Sequence, residues 1–338
     1  MRVLTTRLAT GSQLLAPVLL LAFVGVLGSF TSRSVQFQFR FALVMATIVI
    51  ALYVFIGNSG VVSFGHVSFV AVGAFAAGLT TVPEALKLSL SPDLFPVIAG
   101  AEVGNAVSLV LAAVVGGAFA FVVGVPLMRL SGLSAGIATF AVLVITNNVL
   151  RNWEAIGPGA RTLSLVPETT SFLQATCGAI AVAVLAFAYQ RSRFGRVLRA
   201  SSDDAAAAQG AGIEIHRQRL LAFTLSGALA GFAGGLLVHL LGSITTQQVY
   251  LDLAFVTLAM LVIGGVRSLW GAVVGALLVS GVNSLLLTAE SGLGLGFGEL
   301  NVPTGTRLVT LGVVMALILL FRPRGLTGGR EVTLRLPR

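Results

Sequence analysis

Charged residues are scarce: they make up 10% of the 338-residue chain, against about a quarter in soluble domains. That scarcity excludes a water-soluble globular protein. Lysine is rarer still. Lys87, in PEALKLSLSP, is the only one, so a GxxxxGK[ST] phosphate-cradling loop cannot exist in this sequence. No Asp or Glu falls inside an apolar run, and Asp252 and Glu290 stand at edges. Proton- and voltage-driven machines carry their coupling on intramembrane ionisable groups, so this lack argues against a proton-coupled carrier. Sodium coupling through carbonyls and hydroxyls survives the test. The three histidines, His66, His216 and His239, show no HExxH or other ligand spacing, which leaves a membrane metalloenzyme without support. No catalytic residue, metal ligand or resident cofactor is assigned. Cys177 is the single cysteine, so there is no disulfide framework, and it reads as a small packing residue within a span. The first apolar run lacks a small-x-small cleavage site and reads as an uncleaved span.

What the chain has instead is apolar length. Hydrophobic residues reach 56%, and ten apolar segments can be drawn: about 14–30, 41–57, 61–81, 105–125, 133–150, 171–190, 218–241, 251–266, 270–289 and 307–321. A helix needs about 20 residues to cross about 30 Å of hydrocarbon, and the shortest segments are candidates for tilted, broken or re-entrant helices. The expected fold is all-α, a polytopic transmembrane bundle of about ten spans, eight if the short ones fail, in one domain over residues 1–338. The net charge of +9 is unevenly spread. With ten spans, arginines crowd the termini and the central loop, while acids outnumber basic residues in the alternate loops. The positive-inside rule then places both termini and the central loop in the cytoplasm.

The 40 glycines include several at small-x-x-x-small spacing: Gly116/Ala120, Gly132/Gly136, Gly227/Gly231/Gly235 and Gly271/Gly275. Such pairs let helix backbones approach closely. Residues 56–78, IGNSGVVSFGHVSFVAVGAFAAG, crowd Asn58, Ser59, Ser63, His66 and Ser68 into a stretch that should be lipid-like. A histidine there needs a partner or a cavity. Either it makes one interhelical hydrogen bond, or the segment is irregular and lines a pathway, since non-helical backbone at membrane depth must be covered by protein or water. Further along, Thr146-Asn147-Asn148 leads into RNWEAIGPGARTLSLVPETT, read as an exposed outer loop or a contact site for an external partner.

The long polar island between the chain's ends is Arg191–Arg219, RSRFGRVLRASSDDAAAAQGAGIEIHRQR. Ser201 and Ser202 are expected to cap a short helix with Asp203 and Asp204 in its first turn, propagated by four alanines and ended by Gly210 and Gly212. Such a helix either lies on the membrane surface or docks a partner.

Five blocks, in order and correctly spaced over about residues 41–326, resemble the membrane permease of ATP-binding-cassette importers for branched-chain amino acids, the longer of the two permeases. They are NSGVVSFGHVSFVAVGAFAAG, MRLSGLSAGIATFAVLVITNNVLRNW, SRFGRVLRASSDDAAAAQGAGIEIHRQRLLAFTLSGALAGFAGGL, VIGGVRSLWGAVVGA and LLFRPRGL. The resemblance implies that the loop at 191–219 couples to an ATPase. The spacing Asp204-Ala205-Ala206-x-x-x-Gly210 is similar to the family's Glu-Ala-Ala-x-x-x-Gly, with the block as a whole aligning Gly212 on the family glycine. Asp203, Asp204, Ala207, Gly210, Gly212 and Arg217 are the implied coupling residues. Ser63, His66, Ser68, Thr139, Asn147 and Asn148 are the candidates to line the path. The implied partners are two cytoplasmic ATP-binding subunits, which bind the ATP, a second homologous permease, an extracytoplasmic solute-binding protein and membrane lipid, with no nucleic acid. The implied location is the bacterial plasma (inner) membrane. The family's loop often carries Thr-Gly-Gly-x-x-Gly-Leu, where this chain has Ile156-Gly157-Pro158-Gly159-Ala160-Arg161-Thr162-Leu163. That departure leaves urea, short amides or another small solute as alternatives to branched-chain amino acids, with a stand-alone secondary transporter or channel as the distant one.

Overall fold

The structure is a computed structural model that describes residues 2–290, 293–295, 298–300, 306–322 and 324–332. The glycine-rich stretch at 292–300 and the FRPRG exit therefore lie partly outside the described residues.

Each expected apolar segment holds a helix: α1 (Arg2–Ser29), α2 (Arg33–Ser59), α3 (His66–Thr81), α6 (Asn105–Leu127), α7 (Gly132–Asn152), α8 (Phe172–Arg191), α11 (Ile215–Leu241), α12 (Leu251–Gly264), α13 (Leu269–Glu290) and α14 (Thr306–Phe321). Between them lie short helices α4 (Glu84–Leu90), α5 (Pro96–Ala99), α9 (Arg193–Asp203) and α10 (Ala205–Gly210), and a small hairpin of β1 (Leu293–Leu295) and β2 (Gly298–Leu300). Among the described residues seven helices are long and apolar enough to cross a membrane, and α3 and α12 are shorter apolar helices. At 1.5 Å per residue the 16 residues of α3 reach about 24 Å, short of a hydrocarbon core of about 30 Å. The protein is a polytopic helical membrane bundle.

α2 and α11 form its enclosed centre. α11 is clasped by α3 and α6, and α2 by α8, α13 and α1, while α7 stands at the periphery against α3. Glycine sets the spacing of these crossings. A Cβ on Gly116 would meet the Gly227 oxygen at 2.8 Å, one on Gly227 would meet the Ala120 Cβ at 2.2 Å, and one on Gly275 would meet the Met260 oxygen at 2.1 Å. Three of the four expected small-residue pairings thus sit in helix crossings. Gly132/Gly136 does not: Gly132 has φ +57° and open space around it, and the nearest atom to a Cβ on Gly136 is 3.7 Å away. Cys177 also departs from expectation, since it is exposed on the outer side of α8 instead of packed.

The loop after α7 is not simply exposed. Leu163 and Ile244 exchange backbone hydrogen bonds (2.9 and 2.8 Å), Val166 N–H donates to Gly242, and the Thr170 hydroxyl donates to the Leu236 carbonyl. These bonds stitch the loop to the end of α11. At the same end, His239 is buried between the Ser108 hydroxyl and the Pro167 carbonyl (3.0 and 3.1 Å), so both its ring nitrogens have partners.

Candidate functional site: the polar island and the break between α2 and α3

Two helices make up the island, not one. Ser192 caps α9, its hydroxyl accepting from Gly195 N–H at 3.2 Å. Ser201, Ser202 and Asp203 belong to the last turn of α9 and do not cap the alanine helix. That role falls to Asp204, whose extended backbone ends α9 and whose Oδ1 accepts from Ala207 N–H at 2.9 Å. A carboxylate there satisfies one orphan N–H and suits the dipole of α10. Ala207 and Gly210 are exposed on α10, with Gly210 still helical. Gly212 turns the chain at φ +77°, where a residue with a Cβ would be strained. Arg217 pairs with Glu214 at 3.1 Å, both side chains well exposed.

Two arginines, Arg199 and Arg267, fasten the island to the bundle. Arg199, half-buried on α9, donates from Nε to Asn58 Oδ1 (2.7 Å) and from Nη2 to the Tyr53 hydroxyl (2.5 Å) and Gln190 Oε1 (3.3 Å). The Tyr53 hydroxyl in turn donates to Gln190. Tyr53, Asn58 and Gln190 are buried, and a buried polar network of this kind fixes geometry because each unmade bond is costly. At the surface, Arg267 in the α12–α13 turn donates to Asp203 Oδ1 (2.6 Å) and to the Ser202 hydroxyl (3.2 Å). Behind that turn Glu331 accepts from Leu269 N–H, Trp270 N–H and the Ser268 hydroxyl, capping α13. Ser12 of α1 donates to Val332 at 3.5 Å, so early α1 and the described C-terminal residues lie at the island's end of the bundle.

The path candidates fall into two groups. Ser63, His66, Ser68 and Thr139 come together where α2 breaks before α3. Gly60 ends α2 at φ +69°, and residues 61–65 are not helical before His66 starts α3. His66 is not open to a channel. Its Nδ1 pairs with the Ser63 hydroxyl at 2.8 Å, and its ring packs on Phe55, Phe69 and Phe223 at 5.4, 5.5 and 5.2 Å. Its Nε2 and the Ser68 hydroxyl are buried without a hydrogen-bond partner. The Thr139 hydroxyl accepts from Phe64 N–H (3.3 Å) and donates to Gly136 O (2.8 Å). Asn147 and Asn148 lie about two turns further along α7. Asn147 donates to Thr246 O (2.9 Å), while exposed Asn148 bonds back to Val144 O (2.9 Å).

A cavity of about 580 Å³ lies elsewhere, between α3, α6 and α7, lined by Val72, Phe75, Leu79, Leu111, Val115 and Ile145 among others. No charged residue lines it. A zwitterion would therefore leave both its charges unpaired there, at a large desolvation cost.

Comparison with known proteins agrees with the five sequence blocks. Residues 34–320 match the family model described as branched-chain amino acid transport system / permease component. The chain is similar to the high-affinity branched-chain amino acid transport system permease protein LivM of Salmonella typhimurium, 27% identical over 82% of this chain and 66% of that protein. It is 26% identical to LivM of Escherichia coli over the same shares. To the probable branched-chain amino acid transport permease protein LivH of Methanocaldococcus jannaschii it is 34% identical, over 41% of this chain and 42% of that one. The matched stretches thus span less than two thirds of each relative. No solved structure matches the chain.

Proposed function

The chain belongs to the branched-chain amino acid transport system / permease component family, and on that premise we propose that it is a transmembrane subunit of an ATP-driven importer of branched-chain amino acids. In this reading it takes solute from an extracytoplasmic binding protein, pairs with a second homologous permease, and is driven by two cytoplasmic ATP-binding subunits. It sits in a bacterial plasma membrane with the polar island, the start of α1 and the C-terminal residues on the cytoplasmic side. The relatives' names, LivM and LivH, favour branched-chain amino acids over urea or short amides as the solute.

The observation that carries the reading is the exposure of α10 on a fastened base. Asp204, Ala207, Gly210 and Gly212 are all exposed, while α9 beneath them packs on α2, α8 and α11. A short capped helix on such a base can press into a groove of another subunit and pass movement to the spans. Alternating access then follows as the bundle opens to one face or the other. The test is co-expression with the candidate ATP-binding subunits, permease and binding protein, followed by reconstitution. ATP-dependent leucine uptake that needs all components is expected. Uptake by this chain alone in liposomes would refute the proposal.

A further inference from the structure

The face of α9 that carries Arg199 is applied to one place, the end of α2 and the break that follows. Asn58, which accepts from Arg199, is fully buried in the last turn of α2, two residues before the left-handed Gly60. Ser202, one turn beyond Arg199 on α9, sits over Gly60: a Cβ there would meet the Ser202 Cβ at 3.5 Å. On its other side the break is joined to two further helices. Phe64 N–H bonds to Thr139, and a Cβ on Gly65 would stand 2.6 Å from the Thr139 oxygen. The Phe64 ring meets Phe140 of α7 and Phe255 of α12 edge-to-face, each at 6.2 Å. Phe140 and Phe255 are partly exposed, at 36% and 52%, and so is Val62 within the break at 47%. The break therefore lies between the island and a partly open apolar face.

Non-helical backbone is the part of a membrane bundle that can change shape without breaking a helix's own hydrogen bonds. A few non-helical residues between two packed helices are also where hinge changes are absorbed. We propose that Arg199 is the positioning residue that carries movement of the island into this break, so that residues 60–65 shift and the Phe64 ring opens or closes the passage beside Thr139, Phe140 and Phe255. The proposal rests on the reading of the chain as an importer permease. Arg199 acts through Asn58 and the backbone that follows it and touches no solute. Arg267 is exposed and, among the described residues, its side-chain hydrogen bonds go to Ser202 and Asp203 of α9, so it steadies α9 and makes no side-chain hydrogen bond to α2 or to the break itself.

The test uses the complete assembly in proteoliposomes, in a Cys177→Ser background with Val62→Cys as a reporter. The rate of Val62→Cys labelling by a water-soluble maleimide is read with and without ATP, beside leucine uptake and ATP hydrolysis. Labelling in the parent is expected to change with ATP. Adding Arg199→Met is expected to abolish that change and the uptake, while the ATP-binding subunits still co-purify and hydrolyse ATP, and Arg199→Lys is expected to restore part of both. A purely structural role would lower yield or stability without separating hydrolysis from labelling. Labelling that still follows ATP in Arg199→Met, or that ignores ATP in the parent, overturns the proposal. If Arg199→Met does not assemble, Asn58→Leu, which removes the acceptor of the Arg199 bond together with the Asn58 amide's bond to the Val54 carbonyl within α2, is read in the same way. Failure of the importer reading itself is seen separately, as absence of ATP-dependent leucine uptake by the parent assembly.

Discussion

Gly73 of α3 and Gly231 of α11 face each other with no room for a side chain: a Cβ on Gly73 would stand 2.3 Å from the Gly231 oxygen. The two helices meet backbone to backbone, and the neighbouring atoms are main chain that cannot rotate away. Gly73→Ala is therefore expected to force the helices apart, at about 1–3 kcal/mol of stability, the usual cost of overpacking. Gly136→Ala, whose Cβ would find nothing nearer than 3.7 Å, is expected to leave stability unchanged. Thermal unfolding in detergent distinguishes the two, and equal midpoints would contradict the crossing.

Asp203 and Asp204 are adjacent but do different work. Asp204→Ala removes the cap of α10 and should cost that helix about 0.5–2 kcal/mol. Weaker co-purification of the ATP-binding subunits is expected, with the membrane level unaltered. Asp203→Asn loses an exposed ion pair with Arg267, for which about 0–1 kcal/mol is typical. Its stability should scarcely move. Pull-down yields of the two variants side by side provide the check.

Ser63 is the hydrogen-bonding partner of His66, whose other ring nitrogen has none. Ser63→Ala leaves the imidazole wholly unpaired in an aromatic cage and is expected to lower stability by about 1–3 kcal/mol. Ser63→Ala combined with His66→Phe removes the polar demand from both sides, and should recover much of that loss. A double variant no more stable than Ser63→Ala would show that His66 matters for more than its packing.

Lys87 is buried in the connection between α3 and α6, donating to the carbonyls of Ile98 (3.1 Å) and Ala101. Burial pushes its pKa down from the ordinary 10.5, while Glu102 and Glu84 nearby oppose the shift. A lysine with a lowered folded pKa binds fewer protons folded than unfolded, so stability rises with pH from the lowered value up to the ordinary one. Hydrogen exchange across α4 and α5, corrected for its intrinsic pH dependence, should show protection increasing over that window. Lys87→Met should abolish the trend and raise exchange at neutral pH, because two carbonyls lose their donor.

Much of the architecture is legible in the sequence because apolar runs of this length have few alternatives. Each of the ten segments drawn by hydropathy holds a helix; 251–266 falls below spanning length because it is short, and 61–81 because its first five residues are not helical. The island was harder to read. Its arginines made it look like one soluble stretch around an alanine helix, whereas α9 is a separate helix with its own cap at Ser192. Ser201 and Ser202 have the chemistry of caps, yet they bond back to Leu198 and Arg199 carbonyls inside the last turn of α9. Residue type alone cannot tell a capping serine from one at the opposite end of the preceding helix. The loop after α7 reads as exposed in the sequence because the segment it bridges to, at Ile244, lies far along the chain.

The sequence by itself determined that this is a membrane bundle, that its residues contain no GxxxxGK[ST] pattern, and that one polar island interrupts it. Backbone groups in hydrocarbon must be satisfied within their own segment, so each apolar run settles its structure locally. Only the tertiary structure decided that Arg199 reaches Asn58, 141 residues away, that α9 abuts the break after α2, and that Gly73 and Gly231 meet backbone to backbone while Gly132 and Gly136 take part in no such close crossing. Those outcomes depend on which helix faces come together. That choice is made by the sum of many weak contacts across the bundle, and no local pattern records it.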